Sequence, residues 1–148
     1  MSGVWAVNFK ETSMNNIKRA QLPVQKRIQH TADLFGFSFP MRLEPFIYHI
    51  TSLIAEDYHG GYWQFYTLNN GGFYMAPDFD EPFKVYCENG FEGELSADAL
   101  GIAACLYAYS PLSFGEGQFA ESCAKHYHLL RDYMLEHPEA GAILGAID

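Results

Sequence analysis

Tyr62-Trp63-Gln64-Phe65-Tyr66-Thr67-Leu68, followed by Asn69-Asn70-Gly71-Gly72 and then Phe73-Tyr74-Met75-Ala76, is the stretch that decides the fold class. Two aromatic-rich runs flank an Asn-Gly turn, and Asn and Gly tolerate the positive φ that a tight strand reversal requires, so a β-hairpin is predicted. Alternation along the first run directs Trp63, Phe65 and Thr67 to one face and Tyr62, Gln64, Tyr66 and Leu68 to the other. Aromatic rings on both faces imply a hairpin sandwiched between layers or contributing to a protein interface, and an exposed aromatic face would favour a homodimer.

Beyond Pro77, Phe83-Lys84-Val85-Tyr86-Cys87-Glu88 alternates as a strand, and Asn89-Gly90 turns it into Phe91-Glu92-Gly93-Glu94-Leu95. The expectation is one antiparallel meander of about four strands. Ser96 then caps a helix with Asp98 in its first turn and Leu100, Ala103, Leu106 and Tyr107 as its buried stripe, closing at Ser110-Pro111. From Glu116 a longer helix aligns Phe119, Cys123, Tyr127, Leu130 and Met134 and stops at His137-Pro138; a last short one carries Ile143, Leu144 and Ile147. Upstream of the hairpin, Pro45 opens a helix with Phe46, Ile47, Ile50, Leu53 and Ile54 in one stripe, ending near Tyr58. Before that, Val24, Ile28, Ala32 and Phe35 suit a short helix that stops at Gly36. The predicted class is α+β, a small antiparallel sheet packed with four or five helices. Residues 1–21 are expected to form a disordered or extended segment, with Met14 an alternative start, and residues 22–148 a single domain.

Composition agrees. Apolar residues make up 49% of the 148 and aromatics 16%, too many for a disordered chain and enough for a core without covalent staples. Cys87, Cys105 and Cys123 are an odd number, widely spaced and without a CxxC pair, which argues against a disulfide framework or a zinc knuckle and for a reducing compartment. With no signal peptide and no apolar run long enough to span a membrane, a cytoplasmic location is expected. The net charge of -9 is unevenly divided: residues 1–42 carry six Lys/Arg against two acids, and residues 43–148 three against sixteen. An acidic body repels a phosphate backbone, so nucleic-acid binding is not expected unless Lys10, Lys18, Arg19, Lys26 and Arg27 make the contact.

Catalytic chemistry finds only fragments. Cys123 and His126 are i,i+3 neighbours, but His126 and His128 diverge by about 200° around a helix, and no further ligands complete a metal set. Glu92 and Glu94 share a strand face, as an acid/base pair would, although a solvated face has the same pattern. Gly60-Gly61 and Gly71-Gly72 lack the context of a phosphate cradle and read as turns. No catalytic residue, cofactor or metal is therefore assigned. What stands out is an acidic strip, Asp78, Asp80, Glu81, Glu88, Glu92, Glu94 and Asp98, seven acids against the single Lys84 within 21 residues. Together with Tyr62, Gln64 and Tyr66 on the hairpin it is the candidate partner-binding surface; the same charge could instead serve solubility and guard a sheet edge.

Tyr58-His59-Gly60-Gly61-Tyr62-Trp63-Gln64-Phe65-Tyr66-Thr67-Leu68 with Asn70-Gly71-Gly72-Phe73-Tyr74-Met75-Ala76-Pro77, and later Asn89-Gly90-Phe91-Glu92-Gly93-Glu94-Leu95-Ser96-Ala97-Asp98-Ala99-Leu100-Gly101-Ile102, resemble the ArdB/KlcA antirestriction proteins. The resemblance runs from about Leu22 to the C-terminus. It implies one compact α+β domain, carriage on plasmids or other mobile elements, and relief of type I restriction-modification cleavage of incoming DNA without a block on modification. The implied partner is the type I enzyme or an associated host protein, and the family transfers no catalytic residues. Two alternatives remain open: a DNA-mimic competitor, for which the acids are too localised, and a hydrolase using Glu92/Glu94 or Cys123/His126.

Overall fold

The computed structural model describes residues 17–148; the expectations for residues 1–16, Lys10 and Met14 among them, lie outside the described residues. In chain order the elements are β1 (Arg19–Gln21), a single 3-10 turn (Val24–Lys26), α1 (Arg27–Phe35), a π-helical turn (Phe39–Leu43), α2 (Glu44–Ile54), β2 (Trp63–Leu68), β3 (Phe73–Pro77), β4 (Phe83–Tyr86), β5 (Glu92–Leu95), α3 (Ala97–Leu112), α4 (Gln118–Met134) and α5 (Ala140–Ile147). The α+β class stands, with five α-helices among the described residues.

The hairpin forms as its sequence dictates. Trp63 pairs with Pro77 and Thr67 with Phe73, and Gly71 sits at φ +94° in the turn. Asn70 holds that turn from both sides: its carbonyl accepts from the Gly72 amide at 2.9 Å, and its amide donates to the Leu129 carbonyl of α4 at 2.9 Å.

The single meander does not form. The strands divide into a three-stranded sheet, β1-β2-β3, and a separate ribbon, β4-β5. β1 takes the outer edge of β2, with Arg19 opposite Leu68 and Gln21 opposite Tyr66. The other edge of β3 is covered by a helix: Tyr109 of α3 donates to the Phe73 carbonyl at 2.8 Å, and the Cys105 thiol reaches the Met75 carbonyl at 3.7 Å. Side chains one turn apart on α3 thus meet acceptors that a fourth strand would have used. Gly101, one turn earlier, lets the helix come this close, because a Cβ there would lie 2.4 Å from the Met75 carbonyl oxygen.

α3 is the centre of the molecule. Its periodicity predicts one buried stripe, yet Gly101, Ile102, Ala104, Cys105, Ala108 and Tyr109 are buried together with Leu100, Ala103 and Leu106, while Tyr107 is only partly covered. A helix enclosed on every side has no stripe to display. It also continues through Pro111 to Leu112 instead of closing at Ser110-Pro111. α2 ends at Ile54, four residues before Tyr58, and Leu53 of its expected stripe points outward while Thr51 is buried. Gly36 terminates α1 as expected, at φ +65°; Phe35 is buried, but Ile28 and Ala32 of the helix, and Val24 in the 3-10 turn before it, face away from the core.

Candidate functional site

Gln64 and Tyr66 lie on the outer face of β2, and Tyr62 immediately precedes the strand. Tyr62 is exposed, its hydroxyl accepting from Arg27 at 3.1 Å. Gln64 donates to Asp78 at 3.3 Å and so ties the hairpin to the first residue of the acidic strip. Tyr66 is half-buried, stacked on Tyr74 at 5.0 Å, with the Arg19 guanidinium 4.2 Å above its ring. Only Tyr62 of the three is readily available to a partner.

The strip itself separates into four parts. Asp78, Asp80 and Glu81 are exposed on the β3–β4 loop, where Phe79 projects between them and leans on Phe83 at 5.2 Å. Glu88 sits in the exposed β4–β5 turn. Glu92 and Glu94 share the solvent face of β5, opposite Tyr86 and Lys84. Glu92 raises the Tyr86 phenol pKa by accepting its hydrogen bond. Asp98 is drawn away from the rest.

Asp98 is the hub of a polar network. One of its oxygens accepts from Arg19 at 2.6 Å and from Tyr74 at 2.7 Å; the other meets His137 Nε2 at 2.9 Å. His137 Nδ1 accepts the Glu139 amide at 3.0 Å, so Nε2 carries the ring hydrogen and donates to Asp98. Glu139 in turn accepts from the amide and hydroxyl of Ser96, the residue that caps α3 through the Ala99 amide. Burial works against the Asp98 charge, but the hydrogen bonds from His137 and Tyr74 and the nearby Arg19 hold its carboxyl below the usual range. The network fastens β1, β3 and the start of α3 to the segment before α5. Sequence reasoning missed Arg19, Tyr74, His137 and Glu139 as a unit because they are far apart in the chain; only the Ser96 cap left a local signal.

Cys123 and His126 do not form an accessible pair. Both are buried; the His126 ring lies 4.7 Å from Phe35, and its Nδ1 lacks a hydrogen-bond partner. Among the described residues no cluster of three or more His, Cys, Asp or Glu could hold a metal ion. Of the basic candidates, Arg19 is committed to Asp98, and Arg27 lies over the Phe65 ring at 4.1 Å and donates to the Trp63 carbonyl at 2.8 Å. Neither is free to track a phosphate backbone.

Burial pushes His126 down to about 4, helped by Lys125 and His30. Its folded pKa lies below the ~6.5 of an unfolded chain, so the unfolded state binds the extra proton between these values and stability falls as pH drops through that window. Between pH 7 and pH 5 the protein should lose about 2 kcal/mol from this group. Urea unfolding at the two pH values checks it: His126→Phe should remove most of that difference, and an unchanged difference would assign it to other groups.

Residues 56–148 match the family described as Antirestriction protein, a span containing the hairpin, the acidic ribbon and α3 to α5. The chain is 42% identical over 126 residues to Antirestriction protein KlcA of Escherichia coli, covering 83% of this chain and 89% of that protein. It is 42% identical over 132 residues to the uncharacterized protein YafX of Escherichia coli strain K12, covering 86% and 85%. A solved structure superposes with a TM-score of 0.84 at 37% identity, covering 96% of this chain and 100% of its own; it comes from work on the KlcA and ArdB proteins, described as having a novel fold and antirestriction activity against Type I DNA restriction systems in vivo but not in vitro. The agreement extends over both the motif-bearing hairpin and the helices that enclose it, and the chain belongs to the antirestriction protein family.

Proposed function

We propose that this chain relieves type I restriction of incoming DNA, leaves modification unblocked, and acts by touching a protein, either the restriction enzyme or a host component associated with it. The observation that carries this reading is the activity described for the KlcA and ArdB structures, seen in vivo but not in vitro. A factor that competed with DNA for the enzyme would need no other cellular component; one that works through a further protein would. The geometry supports the same view. Tyr62, the Phe79 loop with Asp78, Asp80 and Glu81, and the outward Glu92 and Glu94 are exposed polar and aromatic residues of the kind a protein partner engages. The acids are also too few and too localised for a DNA decoy, with Asp98 neutralised internally by Arg19.

The cytoplasm, where restriction enzymes meet incoming DNA, is the compartment that goes with this role, and three free buried cysteines suit it. Carriage on a mobile element is part of the same proposal. Among the described residues no helix is long and apolar enough to cross a membrane.

Phage plating on restricting and non-restricting hosts tests the reading: expression of the protein should raise plating on the restricting host alone, and no rise would overturn it. Glu92→Lys with Glu94→Lys should lower that relief roughly tenfold, the loss of about 1.4 kcal/mol of interaction. Thermal unfolding of the double variant should stay within a few degrees of the parent, since both side chains are exposed. Full relief by a folded double variant would clear the β5 face of any part in it.

A further inference from the structure

Tyr62 stands where an exposed loop becomes sheet. His59, Gly60, Gly61 and Tyr62 are all exposed, with Gly60 at φ +91° and Gly61 at φ +123°, whereas Trp63 immediately after them is buried. The main chain of Tyr62 is fixed on the sheet side, where its carbonyl accepts the Asp78 amide at 2.9 Å. Its side chain is a different matter: an exposed ring with no packing around it samples several rotamers and loses that freedom when a partner seats on it.

Arg27 removes the freedom beforehand. Its guanidinium lies 5.1 Å from the centre of the Tyr62 ring and donates to the phenol oxygen at 3.1 Å. The guanidinium is itself held by β2, since the same nitrogen donates to the Trp63 carbonyl at 2.8 Å and the Phe65 ring lies 4.1 Å from it. Those two contacts already join α1 to β2. The further bond to an exposed hydroxyl adds little to that joint, because water would serve either group as well. What it changes is the mobility of a ring that stays 52% exposed. The phenol oxygen accepts from Arg27, and among the described residues nothing accepts the phenol hydrogen. A hydroxyl polarised by a cation on its oxygen is also a stronger donor.

We infer that Arg27 is a positioning residue: it presets the Tyr62 ring for the protein partner and leaves the phenol hydrogen to an acceptor oxygen of that partner. A large aromatic ring held in one rotamer before association gives up less conformational entropy on binding, which is one reason tyrosine is enriched at the centres of interfaces. The inference rests on the proposed action through a protein. It gives Arg27 a role other than the phosphate contact that its charge alone suggests, and it does not depend on Glu92 or Glu94.

The test uses the full chain and two readouts. The first is phage plating at an expression level below the plateau of relief, so that relief follows the strength of the contact. Tyr62→Phe removes only the hydroxyl and should lower relief roughly fivefold, the scale of one net hydrogen bond. Tyr62→Ala should lower it roughly tenfold. Arg27→Gln should lower relief roughly threefold in the parent yet have no further effect beside Tyr62→Ala, where no ring is left to hold. Equal losses from Arg27→Gln in both backgrounds would overturn the inference, because Arg27 would then act independently of Tyr62; full relief by Tyr62→Phe would overturn it too. The second readout is the fluorine NMR signal of 3-fluorotyrosine placed at position 62 of the purified protein. Arg27→Gln, or Arg27→Lys where the glutamine variant fails to fold, should move that signal towards its position in the urea-unfolded chain, and an unmoved signal would overturn the inference. A parent protein that fails to raise plating would sink the antirestriction reading and the partner contact together; relief by the parent with either readout failing rejects the role of Arg27 alone.

Discussion

Gly101→Ala is expected to destabilise the protein by at least about 3 kcal/mol, far beyond the usual cost of one added methyl group in a core. Alanine is normally the better helix former, so at an open site the change would stabilise. Here the new Cβ would fall 2.4 Å from the Met75 carbonyl oxygen, 2.5 Å from the Ala76 Cα and 2.4 Å from its Cβ. Two of these atoms are backbone and cannot rotate aside. α3 would have to move away from β3, stretching the Tyr109 bond to the Phe73 carbonyl and uncovering the sheet edge. Urea unfolding measures the loss, and amide exchange should report faster opening of β3 in particular. An Ala variant as stable as the parent would mean that α3 does not pack this closely.

Phe35→Ala should cost about 3–5 kcal/mol, the range for removing a buried phenyl ring. Phe35 is the ring on which α1 is fixed: it stacks with Phe39 at 5.9 Å and Tyr109 at 6.1 Å, meets Phe73 and Phe119 edge-on, and packs against His126 at 4.7 Å. These rings come from the π-helical turn, α3, β3 and α4, so the cavity would open where all of them meet. Phe35→Leu should recover part of the loss by refilling the space. The ratio of the two effects in denaturant unfolding checks the packing argument, and equal losses would point to a specific need for the aromatic ring.

Legibility followed the range of the interactions. The β2–β3 hairpin was readable because Asn69-Asn70-Gly71-Gly72 and the alternation around it act within a few residues. The same holds for the Gly36 stop and the Ser96 cap. The split of the sheet was not readable: whether β4 continues the meander depends on what occupies the far edge of β3, and α3 occupies it from about thirty residues away. β1 left no trace either, since Arg19-Ala20-Gln21 has no strand character of its own and is ordered by the edge of β2.

The candidate site divided along the same line. The exposure of Glu92 and Glu94 on one face follows from strand period alone, whereas the removal of Asp98 into a network with Arg19, Tyr74 and His137 required four distant segments to meet. Periodicity found the apolar stripe of α1 but assigned it to the core, because spacing reports that a face is apolar and says nothing about which way it turns. Two long motif runs were enough by themselves to determine the family, the α+β class and the aromatic hairpin, because identity and local geometry reside in contiguous sequence. Tertiary structure alone decided which apolar and acidic faces remain open to a partner, because exposure depends on what every other segment covers.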